Sequence, residues 1–186
     1  MSSKKRVLIH ACCGPCLVSP YLEMKESKFE IEVYFYNPNI HPLKEYRLRL
    51  AALKEYFKEE DITLKIEQYN IIDYFSKVDL GKDCGERCKK CYELRLKELL
   101  KKAESENFDY FTTTLLASPY QNHEFIKEIA VKMSKDRQVD FYYNDFRKDY
   151  YKGVNLFKDR NLYYQKYCGC LLSEVEKYEE KQRIKK

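Results

Sequence analysis

The chain has no tryptophan, and only five glycines and five prolines in 186 residues. No Gly/Ser-rich linker, low-complexity stretch or internal repeat interrupts it, so nothing marks a place to divide it. A length of 186 residues suits one well-formed core, and a single domain spanning 1–186 is expected. The longest apolar stretches run to a handful of residues, far short of the roughly 20 that a membrane-spanning helix needs, so no membrane span is expected. The N-terminal MSSKKRV is basic, but no long apolar segment follows it, and no signal peptide is expected.

What is present fits a globular protein: 44% hydrophobic and 35% charged residues exclude a disordered chain. Eight cysteines without an export signal point to the reducing cytoplasm. Clustered thiols there are more often metal ligands or redox catalysts than structural bridges. In place of tryptophan stand 18 tyrosines. Exposed ones can stack on bases, while most of the rings are expected to fill the core. Of the formal charge of +5, the segment 82–102 carries +4, with eight Lys/Arg against four acids. Such a segment reads either as a basic surface for a polyanion such as RNA or as a solvated helix face.

The hydrophobic pattern alternates between strand and helix along the whole chain. Strands are expected at 6–11, 31–36, 63–69, 108–116 and 139–143. Helices are expected after Pro15 or after the Ser19-Pro20 pair, and over 43–57, 92–104, 122–135, 154–160 and the stretch beyond Cys170. This order predicts an α/β fold, a parallel sheet flanked by helices. Ligands of such a sheet bind at the carboxyl ends of its strands, where the cysteine-bearing loops can converge on one rim.

The cysteines fall into three groups. Cys12, Cys13 and Cys16 sit on a Gly14-Pro15 turn just past the apolar run Val7-Leu8-Ile9. Cys84, Cys88 and Cys91 are spaced by four and three, which puts their sulfurs on one face of a helix that Tyr92, Leu96, Leu99 and Ala103 continue into the core. Flanking Lys and Arg are expected to lower the pKa of these thiols. Six such thiols exceed what one four-coordinate zinc uses and suit a four-cysteine iron–sulfur cluster with two left over, zinc being the other reading. Cys168-Gly169-Cys170 can close a small strained disulfide that relays electrons, or can add two more ligands. The Cys84–Cys91 spacing also fits the cluster loop of radical S-adenosylmethionine enzymes, but no glycine-rich cofactor loop follows it.

Taken together, HACCGPC, ERCKKCYELRL, FTTTLLASPYQNHEFIKEIA, NDFRKDYYKG and YYQKYCGCLLSE resemble the epoxyqueuosine reductases of the QueH type, from about Arg6 to Ser173. The resemblance implies a Rossmann-like fold akin to the adenine nucleotide alpha hydrolases, with cysteines where the nucleotide-phosphate loop would be. It implies reduction of epoxyqueuosine to queuosine at the wobble base of tRNAs with GUN anticodons, the last step of queuosine synthesis, without cobalamin and with an electron donor that the chain does not identify. Carried over by position, Cys12, Cys13, Cys88 and Cys91 match the family's [4Fe-4S] ligands, and Cys168 and Cys170 its redox-active disulfide. Cys16 and Cys84 are then left for a second iron. On that division Gly14-Pro15 is expected to aim the Cys16 sulfur away from the first two. The alternatives are a radical S-adenosylmethionine enzyme and a zinc-stabilised RNA-binding module.

Overall fold

The computed structural model describes residues 4–184. Val7, Leu8 and Ile9 are fully buried because β1 (Arg6–His10) is the middle strand of a sheet covered on both faces. β2 (Glu30–Phe35) and β4 (Tyr110–Thr113) flank it, β3 (Thr63–Ile66) pairs with β2, and β5 (Asp140–Phe141) pairs with β4. All pairings are parallel, in the order β3-β2-β1-β4-β5. The expected parallel sheet flanked by helices is what forms.

α1 (Gly14–Glu26) packs with α2 (Leu43–Tyr56) and α6 (Tyr150–Asp159). α4 (Cys84–Ser105) packs with α3 (Ile71–Lys77) and α5 (His123–Ser134). These are two helical layers, as right-handed crossovers running outward from β1 and from β4 require. The strand order reverses between β1 and β4, and their carboxyl ends open the crevice where ligands of such sheets bind.

Local chemistry explains where the elements depart from the sequence pattern. α1 begins at Gly14 with Pro15 in its first turn and carries Pro20 inside the helix, so Ser19-Pro20 is not its start. β4 stops at Thr113 because that side chain accepts the Leu115 N–H at 3.2 Å and bends the chain into a 3-10 turn, Thr114–Ala117. α4 starts eight residues before Tyr92, at Cys84, because the Asp83 carboxylate caps it by accepting the Glu86 N–H at 3.1 Å. α3, capped by Asn70, has seven residues, too few to show a periodicity. β5 is shorter than expected, and α6 starts at Tyr150, continuing a 3-10 turn over Phe146–Asp149. The terminal helix α7 (Leu171–Ile184) is docked on α4 through Glu176, which pairs with the buried Arg87 at 2.6 Å.

α6 fixes the cysteine turn. A Cβ on Gly153 would stand 2.1 Å from the Pro15 carbonyl oxygen, and Phe157 of the same helix lies against Gly14. Only glycine at 153 lets α6 ride this close to the first turn of α1. Gly153→Ala is expected to cost about 1–3 kcal/mol through overpacking, read from urea unfolding of the full chain. An unchanged midpoint would show that the helices separate freely.

Candidate metal centre

The first cysteine group lies at the carboxyl end of β1. Cys12 lies at a bend, Cys13 is extended, and Cys16 sits in the first turn of α1, whose unpaired N–H groups and dipole favour negative charge. The three sulfurs all lie within 4.8 Å of one another, Cys12 and Cys13 at 3.8 Å. Among the described residues this is the one group of three or more potential ligand atoms so arranged. Gly14-Pro15 therefore does not turn Cys16 away. The helix starts at Gly14, which puts Cys13 and Cys16 one turn apart on the same face. The 3-10 turn after β4 closes the other side: Thr114 Oγ1 donates to Cys12 Sγ at 3.1 Å and accepts the Cys12 N–H at 2.9 Å. Gln165 Nε2 donates to Cys13 Sγ at 2.8 Å. Hydrogen bonds from Cys13 and Cys16, with Arg95 and Thr114 adding, hold the Cys12 thiol well below its ordinary pKa, while Cys13 and Cys16 are pushed up.

The second group runs down α4 from solvent to core: Cys84 exposed, Cys88 half-buried, Cys91 buried. The sulfurs of Cys84 and Cys88 are 3.3 Å apart. The helix face continues through Tyr92, Leu96, Leu99 and Ala103, all buried, as the spacing predicts. For Cys88 and Cys91 burial prevails over the flanking cations: it pushes Cys91 up to about 12 against the opposing pull of Arg95 and raises Cys88 as well, because desolvation outweighs the attraction of the cations. Metal binding would displace these protons.

Arg95 joins the groups. It follows Cys91 by one helical turn and is 2% exposed, and its charge is felt by Cys12, Cys91 and Cys168. Its Nη2 donates to Asn37 Oδ1 at 2.8 Å and lies 3.5 Å from His10 Nε2. Its Nε has no partner, and among the described residues no carboxylate pairs with it. A buried cation needs an anion, and the nearby sulfurs are the groups able to provide one. His10 is fully buried between Thr113 Oγ1 (2.9 Å) and the Tyr36 carbonyl (3.1 Å). Burial and Arg95 together push it down to about 3, which makes it a neutral, satisfied core histidine.

The third group is held from below. Arg49 Nη1 and Nη2 donate to the carbonyls of Cys168 (2.8 Å) and Tyr167 (3.1 Å), and Arg49 Nε to Glu45 Oε1 (2.7 Å). Tyr163 donates to the other oxygen of Glu45. The His41 N–H donates to the Gly169 carbonyl at 2.8 Å. Gly169 has φ +146°, a conformation open to glycine, as the motif requires. Cys168 is exposed, Cys170 is buried, and all eight cysteines carry free thiols. Gln121, from the loop after β4, donates to Cys168 Sγ at 3.6 Å.

The structure thus brings Cys12, Cys13 and Cys16 together at the switch point, and sets one cysteine of each group, Cys12, Cys91 and Cys168, within reach of the Arg95 charge. It groups Cys16 with its sequence neighbours and Cys84 with Cys88. Of the eight cations in 82–102, Arg87 and Arg95 are buried, so the basic surface is smaller than the count suggests. Arg147 pairs with Asp145 instead of standing free. Arg95, Gln121 and Gln165 escaped the sequence reading. The i+4 spacing of Arg95 from Cys91 was the one local sign of any of them.

A profile described as epoxyqueuosine reductase QueH matches residues 7–176. The epoxyqueuosine reductase QueH of Dehalococcoides mccartyi is 35% identical over 174 residues, covering 93% of this chain and 94% of that one. That of Thermotoga maritima is 34% identical over 186 residues, covering 96% and 95%. Among solved structures, the U34-tRNA thiolase NcsA from Methanococcus maripaludis with its [4Fe-4S] cluster is similar in fold. Its TM-score is 0.57 at 16% identity, and the match covers 98% of this chain but only 66% of the thiolase. The chain belongs to the QueH family, the epoxyqueuosine reductases, and is thereby an oxidoreductase.

Proposed function

We propose that this chain reduces epoxyqueuosine to queuosine at the wobble position of tRNAs with GUN anticodons, using a [4Fe-4S] cluster and a neighbouring iron. The observation that carries this reading is the convergence of three sulfurs at the sheet's switch point, with Cys12 in the field of a buried guanidinium that has no carboxylate partner among the described residues. That donor set fits an anionic thiolate-held centre: all the ligands are sulfur, and the fixed cation balances their charge. Cys12, Cys13, Cys88 and Cys91 are assigned to the cluster, Cys16 and Cys84 to the second iron. Cys168 and Cys170 are assigned to a dithiol/disulfide couple that reloads it. The reaction takes two electrons and two protons, turns the epoxide into an alkene and releases its oxygen as water. The cluster, when bound, supplies electrons one at a time.

The chain's own groups do the rest. Thr114 and Gln165 hydrogen-bond the Cys12 and Cys13 sulfurs and so fix their directions. Arg95 stabilises negative charge on the thiolates. Arg49, His41 and Gly169 hold the Cys168–Cys170 loop at the rim.

The test is to purify the protein anaerobically, add reductant and epoxyqueuosine-containing tRNA, and analyse nucleosides by mass spectrometry. Loss of one oxygen is expected. Brown, iron-loaded protein that leaves the nucleoside unchanged would refute the substrate, and colourless zinc-loaded protein would refute the centre. Cys16→Ala and Cys84→Ala are expected to abolish turnover while the four-iron absorption persists; full activity in either would remove the second-iron assignment.

A further inference from the structure

Two of the most exposed rings on the protein stand together beside the thiols. Tyr120, in the loop after β4, is 70% exposed, and Tyr151, in the first turn of α6, is 61% exposed. Between them lies the half-buried Tyr150. Its ring is 6.0 Å from Tyr120 and 5.2 Å from Tyr151, edge to face with both. The Tyr120 and Tyr151 hydroxyls are near enough for Tyr120 to raise the pKa of Tyr151. Tyr150 opens α6, the helix that rides on the first turn of α1, where Gly153 meets the Pro15 carbonyl and Phe157 lies against Gly14, beside Cys16. A continuous aromatic path therefore runs from open solvent to the sulfurs at the switch point. Lys148 and Lys152 bracket Tyr151 in sequence, both exposed, and neither pairs with a carboxylate among the described residues.

Burying a ring removes it from water at a gain, and leaving two large rings this open forgoes that gain. Scattered exposed aromatics need no explanation, but a cluster leading to a reactive centre does. Its chemistry selects the occupant. Flat π-faces beside unpaired ammonium groups match unstacked nucleobases on a phosphate backbone, the combination that single-strand-binding grooves use. A duplex offers its phosphates but not its base faces, so the rings favour a single-stranded segment.

We infer that Tyr120 and Tyr151 form a stacking platform for unpaired bases next to the reacting nucleotide, with Lys148 and Lys152 on the adjoining phosphates. This rests on the RNA substrate proposed above and adds the surface that grips it. Tyr150 supports the platform from beneath and aligns it with the cysteine turn.

The test measures binding of an RNA hairpin with a single-stranded loop, and of a fully paired RNA of equal length, at one fixed low salt concentration. The iron-loaded parent is expected to favour the hairpin. The double variant Tyr120→Ala/Tyr151→Ala is expected to lose about tenfold or more in hairpin affinity, the scale of losing a base stack, with little change for the duplex. Tyr120→Phe and Tyr151→Phe keep the π-face and are expected to stay within about threefold of the parent. Lys148→Ala/Lys152→Ala is expected to weaken both RNAs alike. Both tyrosines are exposed, so unchanged iron content and melting temperature are expected throughout.

Hairpin affinity unchanged in the double alanine variant would overturn the platform while leaving the RNA substrate standing, because the parent's binding is measured beside it. If the parent binds neither RNA, the proposed substrate itself falls, and the platform with it. A double variant that binds RNA normally yet loses turnover with a protein reductant would reassign the rings to a protein partner.

Discussion

Arg49→Met is expected to cost the folded chain about 3–5 kcal/mol, the scale of breaking a buried ion pair from one side. Both partners are shielded from water: the Arg49 and Glu45 side chains are 2% and 8% exposed and 2.7 Å apart. The substitution would leave the Glu45 carboxylate with Tyr163 as its remaining hydrogen-bond donor and no cation beside it. It would also free the carbonyls of Tyr167 and Cys168, which Arg49 holds from a position more than a hundred residues away in sequence. Urea unfolding of the full chain measures the loss. The double variant Arg49→Met/Glu45→Gln is expected to recover part of it, because the orphaned charge is then gone. A loss under about 1 kcal/mol for the single variant would show the pair to be no better than a surface one. The consequence for the site is specific: with Arg49 gone, the carbonyls of Tyr167 and Cys168 lose their donors, and the contacts left to the Cys168–Cys170 backbone come from His41, Ser173 and the Glu174 N–H.

The second large effect is electrical. Arg95→Gln, in protein loaded with its iron–sulfur centre, is expected to make the midpoint potential more negative. At a fixed ambient potential the reduced-to-oxidised ratio should fall about tenfold or more, about 59 mV for one electron. The sign follows from charge. Reduction adds an electron to a thiolate-held centre, a buried cation stabilises the added charge, and removing the cation makes reduction harder. Arg95→Lys keeps the charge and is expected to hold the potential near the parent's. Redox titration followed by electron paramagnetic resonance reads this without reference to turnover. A glutamine variant that loads iron and keeps the parent potential would show that Arg95 acts through packing alone. Asn37 is part of the same device. Its carbonyl accepts from Arg95 at 2.8 Å and its amide donates to the Ala11 carbonyl at 2.8 Å, so it seats the guanidinium without neutralising it.

The alternation of strands and helices is legible in the sequence because each element carries its own periodicity and caps. Asp83 before Cys84 and Asn122 before His123 both close the first turn of a helix that their neighbours continue. The grouping of cysteines, the positive φ at Gly169 and the burial of the Tyr92–Ala103 face are equally local, fixed by spacing and residue type.

What the sequence could not decide is which charges go inside and which sulfurs meet. Arg87 and Arg95 are chemically like their exposed neighbours. They are buried because α7 lies over one and the carboxyl ends of the central strands over the other, placements that involve elements far along the chain. For the same reason Cys88 and Cys91 rise in pKa where flanking cations alone would lower them: tertiary packing removes their water, and that desolvation outweighs the cations. The direction of Cys16 also waited on the fold, since a turn and the first residues of a helix share the same Gly-Pro signature. Gln165 reaches Cys13 across 152 positions, and Thr114 reaches Cys12 across 102. The sequence by itself determined an α/β chain with three thiol groups at loop and helix starts, because those features are local. Only the tertiary structure set those groups around one buried cation at the switch point, because burial and convergence depend on segments that meet only when the sheet closes.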